Sequence, residues 1–278
     1  MIYPLPKSSP IMRLLEQMDD IFIYGLIIIG AYGGYKQRLL TRTGGVAAAI
    51  VGGAVALGFG WRGFVVLGMF FFTSSFWSKY KRSKKRKLDQ KLEKGSQRDW
   101  LQVVANGGIA AMTSLMFAYD HNQLWLVAFA IASASANSDT WASEIGTLSK
   151  QKPFFLRTFK RSEKGTSGAI SWLGTNASLA GALLIAVMVY LLFEISIFQL
   201  LYIFLFGFLG NVFDTLLGAF LQVAYRCSIC QSETEKKTHC NHPSRKIRGI
   251  SFLNNDAVNL LSGLLAVISG ILCYFYML

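Results

Sequence analysis

Apolar runs long enough to cross a bilayer recur along most of this chain, and that constrains its fold more than any other feature. A spanning helix needs about 20 predominantly apolar residues. The runs predict spans at roughly 21–35, 44–59, 61–77, 101–118, 122–138, 168–193, 197–222 and 257–277. Only 15% of the 278 residues are charged and 53% are hydrophobic, whereas a soluble domain carries about 25% charged residues. The expected fold class is therefore all-α: a polytopic transmembrane helical bundle of about eight spans, some short, forming one integral membrane domain over residues 1–278. The pair 44–59 and 61–77 is expected to turn tightly around Gly58, Gly60 and Arg62. Gly44, Gly45, Gly52 and Gly53 allow close helix contact there.

The basic residues orient these spans. Segments 36–43, 78–100, 139–167 and 223–250 hold 25 of the 28 Lys and Arg residues, and with eight spans all four fall on one side. By the positive-inside rule these loops are cytoplasmic and both termini lie outside. The net charge of +13 is thereby read as a topology signal and as attraction to anionic lipid, not as a nucleic-acid footprint. The run K-Y-K-R-S-K-K-R-K belongs to the basic cytoplasmic loop 78–100. Residues 1–20 are polar and lack the apolar core of a cleavable signal, so the first span is expected to act as its own anchor. A prokaryotic plasma membrane is the expected location.

Ionisable residues inside spans cost about 2.5–3.5 kcal/mol at a helix centre on insertion scales, and they mark function. Here they share one side. Asp139 and Glu144, in A-S-A-S-A-N-S-D-T-W-A-S-E-I-G, sit at the cytoplasmic end of the fifth span. Asp214, in G-N-V-F-D-T-L-L-G-A, lies about two turns from the cytoplasmic end of the seventh. Asn254, Asn255, Asp256 and Asn259 open the eighth span, while Arg98, Gln102 and Asn106 lead into the fourth at one-turn spacing. Taken singly, such residues read as helix caps and interhelical hydrogen bonds, with Asn254 or Asn255 as an N-cap. Three carboxylates at matched depth read as a site. Magnesium binds through one or two carboxylates plus substrate phosphates, and Asp139, Asp214 and Asp256 suit that use. On an ideal helix Glu144 lies about 140° from Asp139. Both would face one ion only if the helix broke between them. The expectation is that one binds metal and the other orients a base or a lysine. The Ala and Ser run before Asp139 predicts close helix packing around the site.

The stretch K-R-S-E-K-G-T-S-G-A-I-S, residues 160–171, leads into the sixth span. Backbone N–H groups of Gly165, Thr166, Ser167 and Gly168 at a helix N-terminus form a candidate anion site, and Lys160, Arg161 and Lys164 add charge. It is not a Walker A loop, and by itself it reads equally as a Gly/Ser turn capping a helix. A second polar segment, 223–250, gathers Cys227, Cys230, His239, Cys240 and His242. C-x-x-C followed by H-C-x-H supplies four ligands at zinc spacing. Cytosolic thiols stay reduced, so disulfides are not expected. Such a zinc would pin the loop over the site, because four protein ligands leave no open position. The competing readings are free thiols on a polar loop and, further off, a redox C-x-x-C.

Together the stretches L-T-R-T-G-G, R-D-W-L-Q-V-V-A-N-G-G, N-S-D-T-W-A-S-E-I-G, K-G-T-S-G-A-I-S, D-T-L-L-G-A-F-L-Q and the tail with C-x-x-C, H-C and N-N-D-A-V-N resemble the transmembrane protein 19 / phytyl-phosphate kinase family. The family usually has Asn where Ser167 stands. The resemblance implies a polytopic kinase of isoprenoid monophosphates: prenyl phosphate plus NTP, with CTP the expected donor, gives prenyl diphosphate plus NDP. On that implication Asp139, Asp214 and Asp256 hold Mg²⁺ against donor phosphates. Lys164, Arg161 and the 165–168 amides neutralise the transferring oxygens. Glu144 orients a basic group, and Asn211, Asn255, Gln102 and Asn106 shape the pocket. The expected partners are lipid bilayer, prenyl monophosphate and nucleotide, with homo-oligomerisation left open. Two alternatives use similar acids: a cytidylyltransferase-like enzyme releasing pyrophosphate, and an ion-coupled transporter, whose acids should lie nearer the bilayer midplane.

Overall fold

The computed structural model describes residues 10–83, 92–95 and 97–277, with side chains from residue 21 to residue 276. The part of the basic run at 84–87, and Lys91, lie outside the described residues. The helices are α1 Pro10–Lys36, α2 Arg42–Lys79, α3 Trp100–Asp120, α4 Gln123–Gly146, α5 Trp172–Phe193, α6 Ile197–Phe220 and α7 Asn255–Met277. Their starts follow from local chemistry. Thr41, Asp99, Asn122, Ser171 and Ser196 each sit at an N-cap and accept a backbone N–H of the first turn. Asp99 and Gln102 form a reciprocal capping box, the D-x-x-Q counterpart of the S/T-x-x-E motif.

Seven helices are distinguished among the described residues, because the expected pair 44–59 and 61–77 runs together as α2, two helical legs across a kink at Gly60. At ~1.5 Å per residue its 38 residues would reach about 57 Å if straight, nearly twice a ~30 Å hydrocarbon core. It is not straight. Gly60 has φ 57° and ψ −148°, outside helical space and open to glycine alone. The chain doubles back there. Gly44, near one end, lies so close to Arg98 that a Cβ would sit 2.1 Å from its carbonyl oxygen, and Ser75, near the other end, accepts from Arg98 Nη1 at 3.1 Å. Among the described residues α2, α3, α5, α6 and α7 are long and apolar enough to cross a membrane. In α1 the apolar part is the shorter stretch Ile21–Lys36. The Ala, Ser, Asn and Asp content of α4 makes it the least apolar of the interior helices.

The all-α expectation is corrected in two loops. The stretch 154–170 yields a three-stranded antiparallel sheet with order β2-β1-β3: β1 Phe154–Phe155, β2 Lys160–Arg161 and β3 Ala169–Ile170. Segment 223–250 yields a four-stranded sheet with order β5-β4-β7-β6: β4 Ala224–Cys227, β5 Glu233–Thr234, β6 Thr238–His239 and β7 His242–Arg248. These loops are too long to leave their backbone groups unpaired, and short ladders satisfy them. The two ends of the bundle differ sharply. At one end the turns are tight, with His121 and Glu194 left-handed at φ 55° and 52°. At the other end the long, basic segments converge.

Helix α4 occupies the centre, packed against α2, α3, α5, α6 and α7. Residues Ala128 to Ile131 and Ala134 are fully buried. Its Ala and Ser face receives glycines from the neighbours. A Cβ on Gly207 of α6 would stand 2.5 Å from Ala134 Cβ, and one on Gly181 of α5 would stand 3.1 Å from the Asn137 carbonyl. Buried polar groups on this face pair across helices: Asn137 Nδ2 donates to the Gly181 carbonyl at 2.8 Å and Thr73 Oγ1 donates to Asn137 Oδ1 at 3.2 Å. The close packing expected from the sequence is therefore present. Gly207→Ala should destabilise the protein by about 1–2 kcal/mol, since overpacking outweighs the gain in helix propensity. Gly68→Ala, with nothing within 4 Å of the new Cβ, should be neutral or mildly stabilising. Thermal unfolding of the two variants in detergent, monitored by size-exclusion chromatography, tests the difference in sign.

Candidate functional site

The four polar segments expected on one side are hydrogen-bonded to one another at the loop end. Arg98 links the first two: its N–H donates to the Leu39 carbonyl at 2.9 Å, its carbonyl accepts from Thr41 at 3.0 Å, and its guanidinium reaches Ser75. Glu235 links three more stretches, accepting from Ser167 Oγ and Gln222 Nε2, both at 2.9 Å, and from the Glu93 N–H at 3.2 Å. Burial pushes the Glu235 carboxyl above its ordinary range despite these donors. Arg248, its side chain 7% exposed, pairs with Glu233 at 2.8 Å and donates to the Gly218 carbonyl at 2.8 Å and the Ser167 carbonyl at 3.4 Å. It joins β7, the end of α6 and the loop before β3.

Beneath this network lies a cavity of about 340 Å³. Asp139 of α4 and Asp214 of α6 face each other as direct partners inside it. Asn211 Nδ2 donates to Asp139 Oδ1 at 3.1 Å and Ser262 Oγ to Asp214 Oδ2 at 3.3 Å. Asn259, its amide nitrogen turned to Asp214 Oδ2 at 3.0 Å, completes the set. Two carboxylates this close are stable together only with a shared proton or a cation between them. The oxygens of the two carboxylates are the ligand type that a hard cation such as Mg²⁺ takes.

Asp256, the expected third magnesium ligand, has another partner. Lys94 forms an ion pair with its Oδ2 and another with Asp99 at 2.7 Å. Burial works against the Lys94 ammonium, but the hydrogen bonds and charges of Asp256 and Asp99 hold its pKa above the usual lysine range. Helix α4 does not break between Asp139 and Glu144. As the helical angle requires, Glu144 points elsewhere, accepting from Ser78 Oγ at 2.5 Å with the Arg98 charge nearby.

Arg98, Gln102, Asn106, Lys164, Asn255 and residues 165–168 also line the cavity. The amides of Gln102 and Asn106 are used locally: Gln102 in the capping box, Asn106 donating to the Gln102 carbonyl at 2.9 Å. Asn254 is a cap instead, its Oδ1 accepting the Ala257 N–H at 3.1 Å. Lys160 and Arg161 are corrected. They form the exposed strand β2, where Arg161 donates to the Lys152 carbonyl at 2.8 Å, away from the cavity lining. The 165–168 loop is also not at the N-terminus of α5, because β3 and the cap Ser171 intervene. Its shape comes from Gly165 and Gly168 at φ 81° and 79°. Lys94, Asp99, Gln222 and Glu235 escaped the sequence reading. For Asp99 the D-W-L-Q capping pattern is a usable signal; the other three depend on tertiary pairing.

Apolar helices around a charged cavity at one end define a polytopic integral membrane protein. Residues 25–267 match the family described as "Integral membrane protein DUF92", and the chain belongs to that family, so the resemblance to the transmembrane protein 19 / phytyl-phosphate kinase family holds. It is 32% identical to Protein PGR of Arabidopsis thaliana, over 93% of this chain and 95% of that one. It is 31% identical to an uncharacterized membrane protein of Methanocaldococcus jannaschii, over 94% and 97%. A 24% identity to Protein VTE6, chloroplastic, of Arabidopsis thaliana covers 86% of this chain and 66% of the relative. No solved structure matches the chain.

Gly168→Ala should displace the cavity loop. Its Cβ would lie 2.2 Å from Ala219 N, and the left-handed backbone adds about 1–2 kcal/mol of strain. The expected outcome is a lower melting temperature and faster tryptic cleavage after Lys164, read on a gel.

Proposed function

We propose that this protein is a Mg²⁺-dependent kinase of the membrane surface, transferring a phosphoryl group from CTP or another nucleoside triphosphate to an isoprenoid monophosphate. One observation carries the reading: the facing pair Asp139–Asp214 opens onto a cavity whose other walls present Lys94, Arg98 and Lys164. Acids for a cation beside bases for phosphates are what a polyanionic donor and acceptor require. Family membership supports the same chemistry. Counting the two legs of α2 separately gives eight crossings, with the basic loops on the cytoplasmic side by charge asymmetry. The described chain would then begin and end on the outer side of a plasma membrane.

Asp139 and Asp214 would hold the Mg²⁺, which supplies neutralisation of the donor phosphates. Lys164, Lys94 and Arg98 bind and orient phosphate oxygens, Lys94 being held in place by Asp256 and Asp99. The backbone at 165–168 offers N–H groups to the same anion. Glu144 positions Arg98 rather than touching the reacting atoms. A monophosphate acceptor is already ionised near neutral pH, so positioning and charge neutralisation suffice, without a strong base. The acids lie toward the loop end of α4 and α6, which favours this reading over a transporter with midplane acids.

The test uses purified protein in detergent with Mg²⁺, CTP or ATP, and geranylgeranyl or phytyl monophosphate, with lipid and nucleotide products read by mass spectrometry. Wild type should form prenyl diphosphate and the nucleoside diphosphate. Asp139→Asn and Asp214→Asn should each lose about 100-fold or more while remaining folded. Pyrophosphate with a CDP-linked lipid would move the assignment to a nucleotidyl transferase. Absence of any product from folded wild type, across prenyl phosphates and donors, would sink the kinase reading.

A further inference from the structure

We propose that Cys227, Cys230, His239 and Cys240 bind one structural zinc ion, which pins the 227–240 loop so that Glu235 stays against the cavity wall. The site does not depend on the reaction assigned above.

The four ligand atoms gather as a closed centre requires. One ligand atom from each residue lies within 4.8 Å of the others. Tetrahedral zinc with Zn–S of about 2.3 Å and Zn–N of about 2.0–2.1 Å sets ligand atoms roughly 3.3–3.8 Å apart. Cys230 Sγ and Cys240 Sγ lie 3.5 and 3.2 Å from His239 Nδ1. None of the three thiols is in a disulfide. His242, in the sequence-predicted set, lies outside the cluster, and its Nδ1 contacts the Cys240 carbonyl at 3.0 Å.

The backbone is shaped for the same purpose. Two short turns deliver the ligands, one after β4 and one between β6 and β7, on strands that flank β7. Gln231, Cys240 and Asn241 hold left-handed backbones at φ 59°, 52° and 59°. At Cys240 and Asn241 these are the paired positive φ angles of the two-residue β6–β7 hairpin, which sets the Cys240 thiol beside His239. The Ile229 N–H donates to Cys227 Sγ at 3.4 Å, the kind of outer contact that orients a metal-bound thiolate. Strand β4 is buried and the Arg248 and Glu235 contacts tie the sheet to the bundle, but its outer strands have little more to hold them. Strands β5 and β6 are two residues each, and β7 is largely exposed. Short exposed strands of this kind gain from a staple. Cys227, in contrast, is fully buried.

What the ion would control follows from chain order. Glu233 and Glu235 lie between Cys230 and His239, and they carry the contacts to Arg248, Ser167 and Gln222. Closing the loop at its base with metal restricts where these carboxylates can reach. Four protein ligands leave no position for substrate, so the role is structural.

The experiment takes the full chain, purified in detergent with reductant and without chelator. Elemental analysis should find about one zinc per chain, and Co²⁺ exchange should give the visible d–d and thiolate charge-transfer bands of a tetrahedral cysteine site. Cys230→Ser and Cys240→Ser should lower zinc content about tenfold or more and speed tryptic cleavage after Lys236 and Lys237, whereas His242→Ala and Cys273→Ser should keep both at wild-type level. If the cysteine variants do not fold, the cobalt spectrum of wild type decides. Wild type with background zinc and no tetrahedral cobalt spectrum overturns the proposal, as does unchanged zinc in both cysteine variants. Zinc found in a protein without kinase activity would leave this site standing and remove only the reaction.

Discussion

Close approach along the Ala and Ser face of α4 is the constraint on which the rest of the molecule depends. In lipid the association of helices rests on packing and interhelical hydrogen bonds, because the surroundings are as apolar as the side chains. Small residues on α4, met by glycines on α5 and α6, let backbones come near enough for Asn137 to bond the Gly181 carbonyl. Asp139 follows Asn137 by two positions on the same helix, and Asp214 follows Gly207 by two turns on α6. The contacts that seat the helices thereby set the distance between the two acids. A preorganised pair requires such support from rigid elements.

Several of the charges above that pair have partners. Lys94 shares two carboxylates, Arg248 answers Glu233, and Arg98 is spread over backbone, hydroxyl and the neighbouring Glu144. Removing one partner from a half-buried pair leaves a desolvated charge. The cavity can therefore be strongly charged and still belong to a stable fold.

The sequence was most informative where physics acts locally. Apolar runs marked the helices, and S-D-T-W-A-S-E-I-G marked the acid-bearing end of α4, although the helix continues eight residues past the expected span to Gly146. The fixed rotation per residue of a helix was enough to separate Glu144 from Asp139. The D-W-L-Q cap was there to be read. The small sheets were not, since strands of two polar residues carry no alternation and exist only through their ladders. Lys94 resembled one more cation in a solvated run. Lys160 and Arg161 resembled phosphate ligands, but pairing with Phe155 and Phe154 turns them onto an exposed edge. Glu235 sits among residues noted for their sulfur and nitrogen, and its reach into the cavity arises only when the loop closes.

The tight turns at His121, Glu194 and Gly60 bear on biosynthesis. Each joins two helical legs through very few residues, so the chain can enter a bilayer as successive hairpins. On the topology proposed above, almost nothing polar would be carried across with them: Asp120, His121 and Asn122 at one turn, Glu194 and Ser196 at another, Arg62 beside the third. The ribosome would meanwhile release the long charged segments on the side where they are made. Assembly would end there, when the last helix brings Asp256 to Lys94 and closes the site after all its walls are in place.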